Sequence, residues 1–161
     1  MSYIITILVV KYVAKYFFVI PVVVGGVYFF THSSEVRKKM IVVSFISLAI
    51  ILVGFLILGR LYYDARPFVA DGFDPIVSHI PNNGFPSGHA SLSMLIACVM
   101  YLFNRRLGWY LFALSLLVSF SRVFVGLHHF VDILAGTLLA VFSIAIAQAI
   151  IKHFTPNHYQ K

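Results

Sequence analysis

SRVFVGLHHFVD, running from Ser121 to Asp132, sets one arginine, two histidines and one aspartate into an otherwise apolar run. Ionisable groups are costly in such surroundings unless they pair or do chemistry, so the default reading of this stretch is functional. With helix from His128 onward, His128 and Asp132 stand at i and i+4 on one face. The carboxylate can then hold one imidazole nitrogen and leave the other facing a substrate. Arg122, beyond a short connection containing Gly126, adds a planar cation suited to clamping phosphate or carboxylate oxygens. The plainer alternative is a satisfied polar cluster tying two membrane helices together.

The composition around this stretch points to a bilayer. The chain has 161 residues, of which 61% are hydrophobic and 11% charged, and its mean hydropathy is +0.96. A soluble core of this size cannot hide so much apolar surface. A spanning helix needs roughly 20 apolar residues, which leaves room for about five spans in a single domain over residues 1–161. The net charge of +7 does not indicate nucleic acid, because the basic residues are scattered in ones, twos and threes between apolar segments. Cys98 is the single cysteine, so no intrachain disulfide is expected. The N-terminus lacks a charged leader region and a small-residue cleavage site, and no removable signal peptide is expected.

Upstream and downstream of the focal stretch the chain divides into apolar segments. The first dozen or so residues, with Lys11 and Lys15 beside Tyr12 and Tyr16, read as an amphipathic helix at the membrane surface, followed by a first span from about Val13 to Phe30. One long tilted helix is the alternative. The second span covers about Met40 to Leu58, continues as helix through Arg60 and Tyr63, and is ended by Pro67. Phe68 to Pro86 is a long polar loop, flanked by Asp64 and containing Asp71 and Asp74. The third span starts at Pro86 and Ser87 and runs to about Phe103, the fourth covers Trp109 to Phe120, and the fifth covers about Phe130 to Ile151. The expected fold is thus all-α: a polytopic membrane helix bundle of about five spans plus the N-terminal amphipathic helix, six helices in total.

At the start of the third span, FPSGHASLSM gathers groups that suit an anion. A helix N-terminus presents free N–H groups and a positive dipole end. Ser87 adds a hydroxyl, Gly88 lets a ligand approach the backbone, and His89 adds a titratable proton donor. Ordinary N-capping by Ser87 is the competing explanation. Counting crossings puts Arg37 to Lys39, Arg105 with Arg106, and Lys152 with Lys161 on one side, which the positive-inside rule makes cytoplasmic. The loop, the start of the third span and the focal junction then meet on the external side.

Arg66-Pro67, Pro86-Ser87-Gly88-His89, and Ser121-Arg122 followed by His128 and Asp132 together resemble the three-part signature of the type 2 phosphatidic acid phosphatase superfamily. Within it, RPFVA, GFPSGHAS and SRVFVGLHHFVDILAG are most similar to bacterial undecaprenyl-diphosphatases. The resemblance implies an integral protein of a bacterial plasma membrane with its site facing the periplasm or cell exterior. It implies that His128 attacks phosphorus, Asp132 orients it and His89 protonates the leaving oxygen. Arg66, Arg122, Ser87 and the backbone of Gly88 would bind the phosphoryl oxygens. It implies no cofactor and no metal. The family has a Lys seven residues before the Arg of Arg-Pro, where this chain has Gly59; Arg60 is the nearest cation, about 100° away around a helix.

The leading expectation is a membrane lipid phosphatase that converts undecaprenyl diphosphate to undecaprenyl phosphate, its partners being the lipid phosphate and the bilayer. A phosphatidic acid or phosphatidylglycerophosphate phosphatase is the alternative within enzymes. A transporter or assembly protein, whose His and Asp relay protons or hold helices, is the alternative outside them. A zinc site on His128 and Asp132 is disfavoured by the neighbouring arginines, which repel a cation and suit an anion.

Overall fold

The computed structural model describes residues 2–154, so Lys161, one of the basic residues assigned to the inner side, lies outside the described residues. The elements in order are α1 (Ser2–Tyr16), α2 (Val19–Thr31), α3 (Ser34–Leu61), α4 (Pro67–Ala70), α5 (Gly88–Phe103), α6 (Arg105–Phe124) and α7 (Phe130–Phe154). Among the described residues there are seven helices, one more than the six expected. The additional one is α4, a single turn that Pro67 opens inside the polar loop, where a fixed φ and a missing N–H suit a first helical position.

Three helices, α3, α6 and α7, are long and apolar enough to cross a membrane, or four if α1 and α2 count as one span bent by 41°. With the bent pair taken as one, these helices account for four of the about five expected spans. The remaining expected span is α5, whose 16 residues rise only about 24 Å against a hydrocarbon core of about 30 Å. The N-terminal break also moves. It falls at Phe17 and Phe18, between α1 and α2, rather than near Val13.

Local chemistry sets the helix boundaries. Ser33 caps α3 by accepting from the Val36 N–H, and Asn104 caps α6 by accepting from the Leu107 N–H. Tight helix contacts follow from small residues. A Cβ on Gly136 of α7 would lie 2.5 Å from the Ser87 carbonyl oxygen and 2.8 Å from Ser91 Oγ, and one on Gly108 of α6 would collide with the Tyr101 backbone.

Helix α5 is the central element, packed by α2, α3, α6 and α7. Met94, Leu95, Ala97, Cys98, Val99 and Met100 are buried in the main core with Val43, Leu111 and Ile144. The outward faces are apolar instead of polar: Phe45, Leu52 and Leu56 of α3 and Phe142 of α7 are exposed. A soluble bundle would bury those side chains, whereas a bilayer solvates them.

Candidate active site

The site begins where α6 stops. Gly126 adopts φ 72°, a left-handed conformation that glycine takes without penalty, and a Cβ there would lie 2.5 Å from the Phe73 ring. The turn is closed by Gly126 N–H donating to the Val123 carbonyl and Leu127 N–H to the Arg122 carbonyl. Leu127 is fully buried and anchors the chain as it reverses. His128 and His129 follow, outside any helix, before α7 starts at Phe130.

His128 therefore lies outside the helix, contrary to the expectation of helix from His128 onward, yet it still meets Asp132. Its Nδ1 is 3.1 Å from Asp132 Oδ2. Asp132 stands in the first turn of α7 and Oδ2 also accepts the His129 main-chain N–H at 2.9 Å, while the Asp132 N–H donates back to the His129 carbonyl. This is one half of a capping box, the acidic N3 residue reaching back to the N–H of the residue before the helix, with the His129 carbonyl in place of a capping side chain. Capping, rather than i and i+4 stacking, brings the pair together.

The other imidazole nitrogen faces a cation. Arg66 Nη1 lies 3.1 Å from His128 Nε2 and 2.8 Å from the Leu127 carbonyl oxygen, and Arg66 Nε donates to Asn82 Oδ1 at 2.9 Å. Since a guanidinium only donates, Nε2 accepts and the ring proton belongs on Nδ1, toward Asp132. Burial lowers the His128 pKa below the ordinary imidazole range, and the charges of Arg66 and Arg122 lower it further; the Asp132 hydrogen bond opposes them. The ring is thus held neutral with a lone pair aimed at positive charge.

The loop from α3 to α5 is closed by a pair of asparagines. Asn83 accepts from the Asp64 and Phe85 N–H groups, each at 3.0 Å, and donates its amide to the Gly59 and Tyr62 carbonyls. Ala65 and Asn83 form an isolated antiparallel bridge. Next to it, a Cβ on Gly84 would sit 2.9 Å from Asp132 Oδ2, so glycine lets the loop close over the carboxylate. Asn82, Asn83 and Gly84 carry the site and went unread in the sequence, although the PNNG tetrapeptide is a turn signal.

Helix α5 joins α7 directly. The Ser87 N–H donates to the Asp132 carbonyl at 3.0 Å. Ser87 also caps α5, its Oγ 3.5 Å from the Ala90 nitrogen, a long contact that leaves the hydroxyl weakly engaged. Gly88 is exposed, and a Cβ there would make only ordinary contact with Phe55, at 3.9 Å. His89, one residue into α5, is half-buried with its ring edge-to-face against Phe18.

Arg122 is 3% exposed and donates Nη1 to the Ala14 carbonyl at 3.0 Å. Among the described residues, its Nε and Nη2 are buried without partners, as is Asp132 Oδ1. Arg60 stands apart: it is exposed in the last turn of α3 and makes no hydrogen bond or ion pair among the described residues. Asp71 and Asp74 are exposed and lie outside the cluster. Asp64 joins it, its Oδ2 3.0 Å from His129 Nδ1. Burial raises the Asp64 pKa and the nearby Asp132 charge raises it further, with His129 opposing.

The PAP2 superfamily model matches residues 38–156. The chain is 32% identical over 109 residues to undecaprenyl-diphosphatase BcrC of Bacillus subtilis (strain 168), an alignment covering 68% of this chain and 56% of that protein. It is 29% identical over 136 residues to a protein of Bacillus licheniformis described as bacitracin transport permease protein BcrC, covering 84% of this chain and 66% of the relative. In each case the chain spans less than two thirds of the relative's length. The fold resembles the crystal structure of a transmembrane PAP2 type phosphatidylglycerolphosphate phosphatase from Bacillus subtilis, with TM-score 0.60, 20% identity, and coverage of 95% of this chain and 78% of that one. With its apolar outer faces and spanning helices, the chain is an integral membrane protein, and it belongs to the PAP2 superfamily.

Proposed function

We propose that the chain is a lipid phosphatase that hydrolyses the terminal phosphate of a lipid diphosphate, converting undecaprenyl diphosphate to undecaprenyl phosphate through a phosphohistidine. The observation that carries this reading is His128, with Nδ1 on buried Asp132 and Nε2 facing Arg66. A neutral nucleophile backed by a carboxylate and facing an arginine suits attack on an anionic phosphorus centre. His128 Nε2 forms the bond to phosphorus as the bond to the bridging oxygen breaks, and His89 gives its proton to that oxygen. Water then attacks phosphorus and passes a proton to His89. Inorganic phosphate leaves and His128 returns neutral.

Purified protein should release phosphate in a panel of undecaprenyl diphosphate, phosphatidic acid and phosphatidylglycerophosphate, with the first turned over fastest. Turnover should persist in chelator, because side-chain cations occupy the role a metal ion plays elsewhere. Vanadate should inhibit. No release from any lipid would remove the proposal, and activity lost in chelator but restored by zinc would redirect it to Asp64, His129 and Asp132, whose ligand atoms lie within 4.8 Å of one another. A transporter reading, to which the permease description of one relative lends some weight, gives no reason for a histidine lone pair to face Arg66.

The basic segments at the far ends of the same helices support an external site in a bacterial plasma membrane. Asn83 is engaged by four hydrogen bonds, so exposed Ser78 is the better labelling position. In a Cys98→Ser background, Ser78→Cys should react with an impermeant thiol reagent on intact cells and Ser34→Cys should not. The opposite pattern inverts the topology.

Arg60 is proposed as a rim contact for the second phosphate. It follows Gly59, whose carbonyl holds the Asn83 amide, and its fork is free. Arg60→Ala should therefore lower kcat/KM on undecaprenyl diphosphate by a further factor of about 10 relative to phosphatidic acid, equivalent to about 1.4 kcal/mol. An unchanged ratio would leave Arg60 as an interfacial anchor of α3.

A further inference from the structure

The break between α1 and α2 reaches two of the proposed site residues from outside the matched family region, which begins at residue 38. Helix α1 ends at Tyr16, the Phe17 N–H donates to the Val13 carbonyl, and α2 begins at Val19. In a continuous helix the Ala14 carbonyl would accept from the Phe18 N–H. Here that bond is not made, and the freed carbonyl accepts from Arg122 Nη1 at 3.0 Å. An orphan acceptor at a helix end and a buried guanidinium satisfy each other.

The second contact is one turn away. The Phe18 ring lies 5.1 Å from the His89 ring at an interplanar angle of 69°, an edge-to-face pair of the kind that fixes ring orientation. The break is itself held in place, because buried Ala14 and partly buried Val10 pack with Phe68, Val77, Val125 and Leu127. Leu127 is the residue whose carbonyl holds Arg66.

We propose that the α1–α2 break is a positioning element of the active site: the Ala14 carbonyl orients Arg122 toward the phosphoryl oxygens, and the Phe18 ring holds His89 at the angle that protonates the leaving oxygen. The inference rests on the lipid phosphatase reading. Phe18 and Ala14 act through Arg122 and His89 and touch no reacting atom. With Nη1 committed to α1, Arg122 keeps Nε and Nη2 for an anion.

The test uses the purified full chain and two substrates, the lipid phosphate that the wild type turns over and p-nitrophenyl phosphate, whose leaving group needs no proton. General acid catalysis contributes about 10² to 10⁴, so Phe18→Ala should lower kcat on the lipid by about tenfold, leave KM little changed, and leave p-nitrophenyl phosphate turnover within about twofold. Phe18→Tyr, which keeps the ring, should restore most of the loss. Phe18→Leu, which keeps the bulk, should show the same split at a smaller size and carries the test where Phe18→Ala does not fold. Ala14→Val, which forces α1 from α6, should instead weaken vanadate inhibition severalfold. Equal losses on both substrates for the Phe18 variants, or no loss, would overturn the role of Phe18; unaltered vanadate affinity in folded Ala14→Val would overturn that of Ala14. A wild type that hydrolyses neither substrate refutes the lipid phosphatase reading itself, before any variant is compared.

Discussion

His128→Ala is expected to lower turnover by about 10⁴-fold or more, as removal of a covalent nucleophile does, whereas His129→Ala should keep most of it. The two histidines are adjacent, and helical spacing alone allows either to reach Asp132. Their side chains diverge: His128 Nδ1 goes to Asp132 and His129 Nδ1 to Asp64. What His129 gives Asp132 is a main-chain N–H, which alanine retains. Equal losses in the two variants would leave the nucleophile unassigned. The wild-type pH profile should also show the sign of the His128 environment. Only the neutral ring attacks, and burial lowers its pKa, so the acid limb of kcat/KM should lie below the ordinary imidazole range, while an alkaline limb belongs to His89, which must carry the proton it gives to the leaving oxygen. An acid limb at or above that range, in a protein whose nucleophile has been identified by trapping, would contradict the buried, arginine-facing geometry.

The helical bundle was legible in the sequence because apolar segment lengths and the turn residues between them are local properties. So were the three polar motifs, since ionisable residues in apolar runs stand out by composition. The connections between those motifs are tertiary. Arg66 is held by Asn82 and by the backbone carbonyl of Leu127, and no pattern in a sequence announces which carbonyl a guanidinium will find. The same holds for Arg122 and Ala14, which are 108 positions apart. The pairing of His128 with Asp132 was anticipated from helical spacing, and its partners are as expected, but the actual cause is a helix start at Phe130 with Asp132 reaching back over it. The sequence reading starts the third span at Pro86 and Ser87, whereas α5 starts at Gly88 with Ser87 as its N-cap. The Ser87 N–H, outside the helix, is left to donate to the Asp132 carbonyl.

Arg122→Ala is expected to cost about 10³-fold in kcat/KM, more than the loss from Arg66→Ala, because the two arginines differ in what they have left to give. Arg66 is already engaged through Nε and Nη1 with Asn82, Leu127 and His128, so part of its role is to fix the loop and the nucleophile. Arg122 has one bond, to Ala14, and two buried nitrogens without partners. Buried donors left unpaired are costly in a resting protein and become favourable when an anion arrives, which is the behaviour of a preorganised site for developing charge. The loss should fall mainly on kcat if those bonds tighten in the transition state, and vanadate affinity should fall with it. Arg122→Lys is the sharper variant. An ammonium keeps the charge but cannot span the Ala14 carbonyl and two phosphoryl oxygens with one planar fork, so it should recover less than a tenth of the lost activity. Recovery to near wild-type rates would mean that charge alone matters and that the open nitrogens bind nothing.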